Sequence, residues 1–224
     1  MSEHIAVITV ENDKGKERFQ KFVEEFCDKL HANTILEMIK VPGVVVGLTP
    51  ALARRGCSES HKKCTRLTGP PHEWTISEDD TTFPDGFDSV LCWASNVVPQ
   101  ARAMGIDILY GGLSSVYVKR DRMRKKVVKG CNCVRAHRLV TVDMCTGFFF
   151  YTCLTPRARL IMRGLNTTAH VDNAMGTQLR QQKLKGACVV PFIAKCRAGY
   201  SNIKMGVRDY SRNIDNAERM LMKI

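Results

Sequence analysis

The chain has 224 residues, 44% of them hydrophobic and 25% charged, with 34 Lys+Arg against 22 Asp+Glu for a formal charge of +12. That length and apolar share allow a buried core in one or two domains and exclude wholesale disorder. No apolar run approaches the roughly 18–20 residues that span a bilayer. The start, Met-Ser-Glu-His-Ile-Ala-Val, lacks a signal's basic region, Ser2 excludes myristoylation, and the end Leu-Met-Lys-Ile has no prenylation cysteine, so membrane contact is expected to be peripheral.

The first periodic element follows Asn12-Asp13. Phe19, Phe22, Val23, Phe26, Cys27 and Leu30 form the apolar stripe of an amphipathic helix. A second helix is expected from Asn33 or Thr34, where Thr34 and Glu37 have capping-box spacing, to just before Pro42. Thr49-Pro50 opens a third, with a capping hydroxyl ahead of a proline at the first helical position, and Gly56 can end it. Residues 57–87 lack helical periodicity; Gly69-Pro70-Pro71 and Glu78-Asp79-Asp80 mark a long loop. Val90, Leu91, Ala94, Val97, Val98 and Ala101 restore helix, interrupted at Pro99 and closed by Gly105. The basic segment 115–129, ending at Gly130, reads as helix. The run from Arg138 to Leu154 has β-branched residues that suit a strand and a length that suits a buried helix, and it is assigned to helix. Thr155-Pro156 repeats the cap-plus-proline start, Gly164 stops it, and Asn166-Thr167-Thr168 opens another helix. Residues 186–198 read as a buried helix bent at Pro191, and Ile203, Val207, Tyr210, Ile214, Ala217 and Leu221 as the core seam of the last. The expectation is an all-α protein: a larger multi-helix domain over 1–155 and a small basic helical bundle over 156–224.

The charge is divided along the chain. Residues 1–90 carry 11 Lys+Arg against 15 Asp+Glu, and residues 91–224 carry 23 against 7. Excess cation held in one part points to an anionic partner there, nucleic acid or acidic lipid. Between Lys119 and Arg138 nine cations are opposed only by Asp121. On a helix Lys119, Arg122, Lys126 and Lys129 share one face, with Val116, Met123 and Val127 on the other. Arg122, Arg124, Lys125 and Lys126 also read as a nuclear-import patch, since import receptors, phosphate and acidic lipid all recognise dense positive charge. Arg208, Arg212, Arg219 and Lys223 add a second anion-binding set. Aromatic residues are scarce beyond Thr155, which favours backbone or lipid-surface binding over base recognition.

Chemistry-bearing constellations are thin. Cys57, His61, Cys64 and His72 form a loose cluster, as do Cys131 and Cys133, but neither has paired Cys-x-x-Cys spacing; the ten scattered cysteines are expected to be reduced thiols, with no metal and no cofactor. No Gly-rich phosphate loop, nucleophile elbow or zinc-helix motif appears, so no catalytic residue is assigned and no enzymatic activity is expected. A metalloenzyme on Cys57, His61 and Cys64 stands as a rival.

The succession of features resembles the orthomyxovirus (influenza-type) matrix protein family, in a distant genus such as the isaviruses. The resemblance rests on Asn33-Thr34-Ile35-Leu36-Glu37-Met38, on Leu48-Thr49-Pro50-Ala51-Leu52, on the basic Arg122-Met123-Arg124-Lys125-Lys126-Val127-Val128, and on Cys145-Thr146-Gly147-Phe148 through Tyr151. It implies a helical subunit that polymerises beneath a viral envelope, binds acidic phospholipid and contacts viral ribonucleoprotein. The expected location is then the virion, the inner face of the host plasma membrane, the nucleus and the cytoplasm. Nonspecific RNA binding of a nucleocapsid-like or silencing-suppressor kind is the alternative.

Overall fold

A computed structural model describes residues 3–27, 36–47, 49–67, 74–119, 121, 123–130, 136–166, 168–201 and 206–224. In chain order these form β1 (Glu3–Thr9), α1 (Asp13–Cys27), β2 (Leu36–Pro42), α2 (Pro50–Leu67), β3 (Trp74–Glu78), β4 (Thr81–Thr82), α3 (Phe87–Cys92), a π-helical turn Trp93–Val97 and α4 (Val98–Ala103). They continue with β5 (Ile108–Tyr117), β6 (Lys125–Val127), β7 (Arg138–Val142), β8 (Met144–Cys153), α5 (Pro156–Gly164), α6 (Val171–Arg180), β9 (Gly186–Val190), β10 (Lys195–Cys196), β11 (Gly199–Ser201), β12 (Gly206–Arg208) and α7 (Ser211–Met222).

Eight strands make one mixed sheet in the order β2-β1-β3-β8-β5-β9-β7-β6, with two further two-stranded pairs, β10-β4 and β11-β12. The fold is therefore α/β, and the all-α expectation is overturned. Thr155, the expected domain boundary, lies between β8 and α5, and the chain beyond it supplies β9 to the same sheet, between β5 and β7.

Two of the errors share a cause. Ile5, Ala6, Val7 and Ile8 of β1, all of β9, and most of β8 are buried on both faces. Doubly covered strands show a continuous apolar run with no period of two, which a buried helix also shows. Arg138–Cys153 and Gly186–Val190 were assigned to helix on that ground, and the β-branched content of Val140, Val142, Val189 and Val190 was the better guide; Leu36–Pro42 was assigned to helix on the capping-box spacing of Thr34 and Glu37 and is β2. The expected basic helix at 115–129 is instead the end of β5 and the edge strand β6. Thus the segments that carry the matrix resemblance lie largely on strands: β2, β6 and β8.

At α1, at α5 and at the end of α4 the cap residues read from the sequence sit where the helices begin or end. In α1, Gly15 N–H donates to Asn12 Oδ1 (2.8 Å) and Phe22 is fully buried. Thr155 Oγ1 accepts from Ala158 N–H (3.2 Å) to open α5, and Gly105 takes φ +69° just past α4. In α7, Ile214, Ala217 and Leu221 are buried, although Val207 of the expected seam lies on β12 and is 75% exposed. Ile203, like Leu30, lies outside the described residues. Six thiols, of Cys57, Cys64, Cys145, Cys153, Cys188 and Cys196, are free, but Cys92 is disulfide-bonded.

The parallel order β2-β1-β3 fixes which face each helix takes. Right-handed crossovers send α1 over one face on the way from β1 to β2 and α2 over the other on the way back to β3. Neighbouring residues of β8 serve the two layers: Phe150 meets Phe83 and Trp93, while Tyr151 meets His61 of α2. Register shifts between β5 and β8 at Tyr110/Gly112 and Gly112/Leu113 turn Phe148 to the Tyr151 side, edge-on to both His61 and Tyr151.

Gly56 does not end α2, which runs on to Leu67; it lets the helix touch the loop after β2. A Cβ at Gly56 would stand 2.2 Å from the Val44 carbonyl oxygen. Beside it Ser60 Oγ accepts the Val44 N–H at 2.8 Å. Gly56→Ala is expected to destabilise the protein by about 1–3 kcal/mol in urea denaturation, because the backbone must shift to admit a methyl group; an unchanged midpoint would refute that tight seating.

Candidate functional site

Parallel strands connected in opposite directions leave a crevice at their carboxyl ends, where the crossovers diverge. β1 meets that condition, with β2 on one side and β3 on the other. A cavity of about 720 Å³ opens there.

Its walls follow from short-range bonds. Thr9 Oγ1, at the end of β1, donates to the Gly15 carbonyl (3.1 Å), and Gly43 N–H, just past β2, donates to Thr9 O (2.7 Å). The loop after β2 presents Val45, 63% exposed, as an apolar lip. On α2, Arg54, Cys57 and His61 stand at i, i+3 and i+7, one helical face, and all three line the cavity. β3 ends in Glu78, followed by Asp79 and Asp80, which form the floor. The start of α6 closes the far side with Asp172 and Asn173.

The floor carboxylates are satisfied unequally. Asp79 is gripped by Arg18 of α1, at 2.9 Å from Nε and 3.3 Å from Nη2. Burial still pushes its pKa up more than Arg18 lowers it. Glu78 Oε1 lies 3.1 Å from His61 Nε2, and Tyr151 Oη lies 2.8 Å from His61 Nδ1. Asp80 Oδ1 is buried with no hydrogen-bond partner, and desolvation, then Glu78 and Asp79, raise the Asp80 pKa. Asp172 is held by backbone: Oδ2 accepts from Gly147 N–H (2.7 Å) and Oδ1 from Asn173 N–H (2.8 Å).

Cys57 cannot serve as an activated nucleophile here. Desolvation raises its thiol pKa well above the usual value, and the negative charges of Glu78, Asp172 and Asp80 raise it further. Both nitrogens of His61 are already engaged, so the ring has no lone pair to spare as its base. The field that suppresses a thiolate attracts cations. Arg54 and Arg208 also line the cavity, with no ion-pair partner among the described residues.

The expected anion-binding residues are mostly elsewhere. Arg122 lies outside the described residues. Lys119 is half-buried, its N–H on Asp143 Oδ2 at 2.6 Å. Arg124 donates its N–H to Thr141 Oγ1 (2.8 Å), and Lys125 Nζ reaches the Ile224 carbonyl (3.0 Å). Lys126 and Lys129 are exposed, but the face that a helix would have given them with Lys119 and Arg122 does not exist. On α7, Arg212, Arg219 and Lys223 are exposed, with Arg219 bonded to Asn216 Oδ1 (2.6 Å). Of these residues only Arg208 reaches the cavity.

The loose Cys/His cluster separates differently. Cys57 and His61 come together with Glu78, their ligand atoms all within 4.8 Å of one another. Cys64 is buried in the core, and His72 with Cys131 and Cys133 lies outside the described residues. Glu78 was read as loop acid; the signal for it was Trp74-Thr75-Ile76, a β-forming run that leads through Ser77 into three carboxylates. No family model matches the chain, and no curated protein matches its sequence.

Replacing Arg18 by Met leaves Asp79 buried without its cation. The loss is expected to be about 3–5 kcal/mol of unfolding free energy, measured in urea at neutral pH; a change below about 1 kcal/mol, the range of surface pairs, would show that solvent screens the pair.

Proposed function

We propose that the protein is a metal-dependent transferase that takes a group from a nucleoside-diphosphate donor, with a nucleotide sugar the donor that its cavity fits best. The observation that carries this reading is the placement of Glu78 at the carboxyl end of β3 and of Asp80 just past it, in the crevice of a β1-α1-β2-α2-β3 unit whose lining also holds Arg54 and Arg208, two arginines with no ion-pair partner among the described residues. Units of this topology bind mononucleotides at that crevice. Carboxylates that hold magnesium or manganese there share the ion with substrate phosphates.

The diphosphate does not belong on the N-terminus of α1, as in dinucleotide-binding proteins. Glu11 and Asp13 flank that turn, which has Gly15 alone and not the three glycines of the fingerprint. Repelled there, it is drawn toward Arg54 and Arg208 and toward the divalent ion that Asp80 would hold. The apolar lip at Val45 supplies a surface for the base. Asp172 and Asn173 suit the hydroxyls of a sugar: the Asp172 carboxylate keeps lone pairs beyond the two that take backbone N–H groups. Bound at Asp80, a divalent ion supplies Lewis acidity that stabilises the charge developing on the departing nucleoside diphosphate.

The test is calorimetric titration with ADP, GDP, CDP and UDP, each with and without manganese. At least one is expected to bind only with the ion, and Asp80→Asn to weaken that binding by about tenfold or more. If none binds with manganese present, or if Asp80→Asn binds equally well, the reading fails.

A second reading keeps the expectation drawn from the charge division: a self-associating matrix-type subunit on acidic phospholipid, with ribonucleoprotein or RNA as a further partner. One observation favours it, the exposed Arg124, Lys126 and Lys129, which have no ion-pair partner among the described residues. On this reading the protein floats with acidic but not neutral vesicles, and added salt releases it. Absent or salt-insensitive flotation counts against it, and displacement of vesicles by RNA favours the nucleic-acid alternative.

A further inference from the structure

Cys57, His61 and Glu78 form a group distinct in chemistry from the oxygen-lined floor around Asp80. A thiol, an imidazole and a carboxylate, drawn from α2 and the end of β3, present their ligand atoms within 4.8 Å of one another at the cavity wall. We infer that these three residues are a binding site for a single thiophilic divalent ion of the zinc type, with the fourth position open to the cavity.

The donor set matches that ion. Zinc takes thiolate, imidazole and carboxylate together, whereas magnesium and calcium take oxygen. From metal–ligand lengths of roughly 2.0–2.3 Å, donors on one tetrahedral ion stand roughly 3.3–3.6 Å apart. His61 Nε2 and Glu78 Oε1, at 3.1 Å, are already near that separation, and Cys57 needs only a side-chain adjustment.

The surroundings of His61 are those of a ligand held ready. The ring is 1% exposed, stacked on Tyr151 at 5.7 Å and edge-on to Phe148 at 5.9 Å, so it cannot swing away. Its outer partner is a hydroxyl, which donates or accepts by rotating its hydrogen. Without an ion, Nε2–H donates to Glu78 and Nδ1 accepts from the Tyr151 hydroxyl. With one, Nδ1–H donates to the Tyr151 oxygen and the Nε2 lone pair turns to the metal. The ring stays in place through both states, and Tyr151 becomes the partner that fixes a metal-bound tautomer. Cys57 gives its thiol proton to solvent when the ion binds. Asp80 and Asp172 stand close enough to act on the Cys57 sulfur, and their charge favours the cation over an empty site.

The site is tested without nucleotide, so its outcome is separate from that of the transferase reading. The full chain, stripped with chelator and kept reduced, is titrated with cobalt(II) alone. The expected result is one ion per chain, with the visible bands of a tetrahedral site and a thiolate-to-cobalt charge-transfer band, all abolished by adding zinc. Cys57→Ser is expected to lose the charge-transfer band, while Cys196→Ser keeps it. Tyr151→Phe is expected to retain the band and to weaken binding by about tenfold. Glu78→Gln, which keeps both the thiol and the ring, serves where Cys57→Ser does not fold: it keeps the band with weaker binding. Absence of a charge-transfer band in the natural sequence, or its persistence in Cys57→Ser, overturns the assignment.

Discussion

Three successive carboxylates at the end of a buried strand are the constraint around which this molecule is arranged. Two unit charges 4 Å apart interact with about 4 kcal/mol at the effective dielectric of a partly buried site, so Glu78, Asp79 and Asp80 oppose one another unless cations intervene. Among the described residues the arginine ion pair goes to the middle one, where Arg18 grips Asp79. Glu78 receives a neutral-capable imidazole instead, and Asp80 keeps a buried oxygen with nothing bonded to it. A chain selected only for stability would not retain such a group, because a buried polar atom without a partner carries its full desolvation penalty. The acids make sense as the standing half of a site whose other half arrives with a ligand.

Keeping that half-site in order requires two elements to be held closely. α2 is seated on the loop after β2 through the missing Cβ of Gly56 and the Ser60 hydroxyl, and on the far side Ser58 Oγ donates to the Ala169 carbonyl at 2.9 Å. These contacts leave the face that bears Arg54, Cys57 and His61 no freedom to rotate. β8 does the corresponding task from beneath: its irregular register with β5 puts Phe148 and Tyr151 on one side, so the imidazole is boxed by two rings and bonded to one of them. The precision of the site comes from packing of the sheet, and the chemistry is carried by helix and loop residues at its rim.

This division explains what could be read from sequence. α1, α5 and the buried face of α7 were legible from local signals: an apolar stripe after Asn12 in α1, the Thr155 cap and Pro156 at α5, and the spacing of Ile214, Ala217 and Leu221 in α7. β1, β8 and β9 were not, because strands covered on both sides carry no alternation, and long apolar runs were taken for helix. The site suffered in proportion. Cys57 and His61 were noticed because they stand in one short stretch of Cys and His residues, a local relation. Their partner Glu78 is 17 residues from His61 and joins it only through the β2-α2-β3 crossover. Once 57–87 is read as loop, no argument brings those residues together.

The positive segment shows how a pattern can be real and its geometry mistaken. Lys125, Lys126 and Val127 form the last strand of the sheet, exposed throughout, with a free edge beyond. Lysine on an edge strand blocks pairing with another sheet, because a second strand would have to bury the charge. Two cations nearby have a further structural use. Lys125 Nζ donates to the Ile224 carbonyl and the Arg138 guanidinium to the Met222 carbonyl, so both meet the negative end of α7. Part of the excess charge is therefore fixed by the fold: it guards an edge and caps a helix. What remains for an anionic ligand divides between Arg124, Lys126 and Lys129 on that edge and Arg54 and Arg208 at the cavity. Only the second pair lines a cavity that carboxylates also line. An anion bound there, with a cation between it and the floor, meets opposite charge from both directions, whereas an anion on the β6 edge stays in water of high dielectric. On the proposed reading a diphosphate in the crevice would draw on the ion at the floor as well as on two arginines, a combination that the one arginine and two lysines of the edge do not offer.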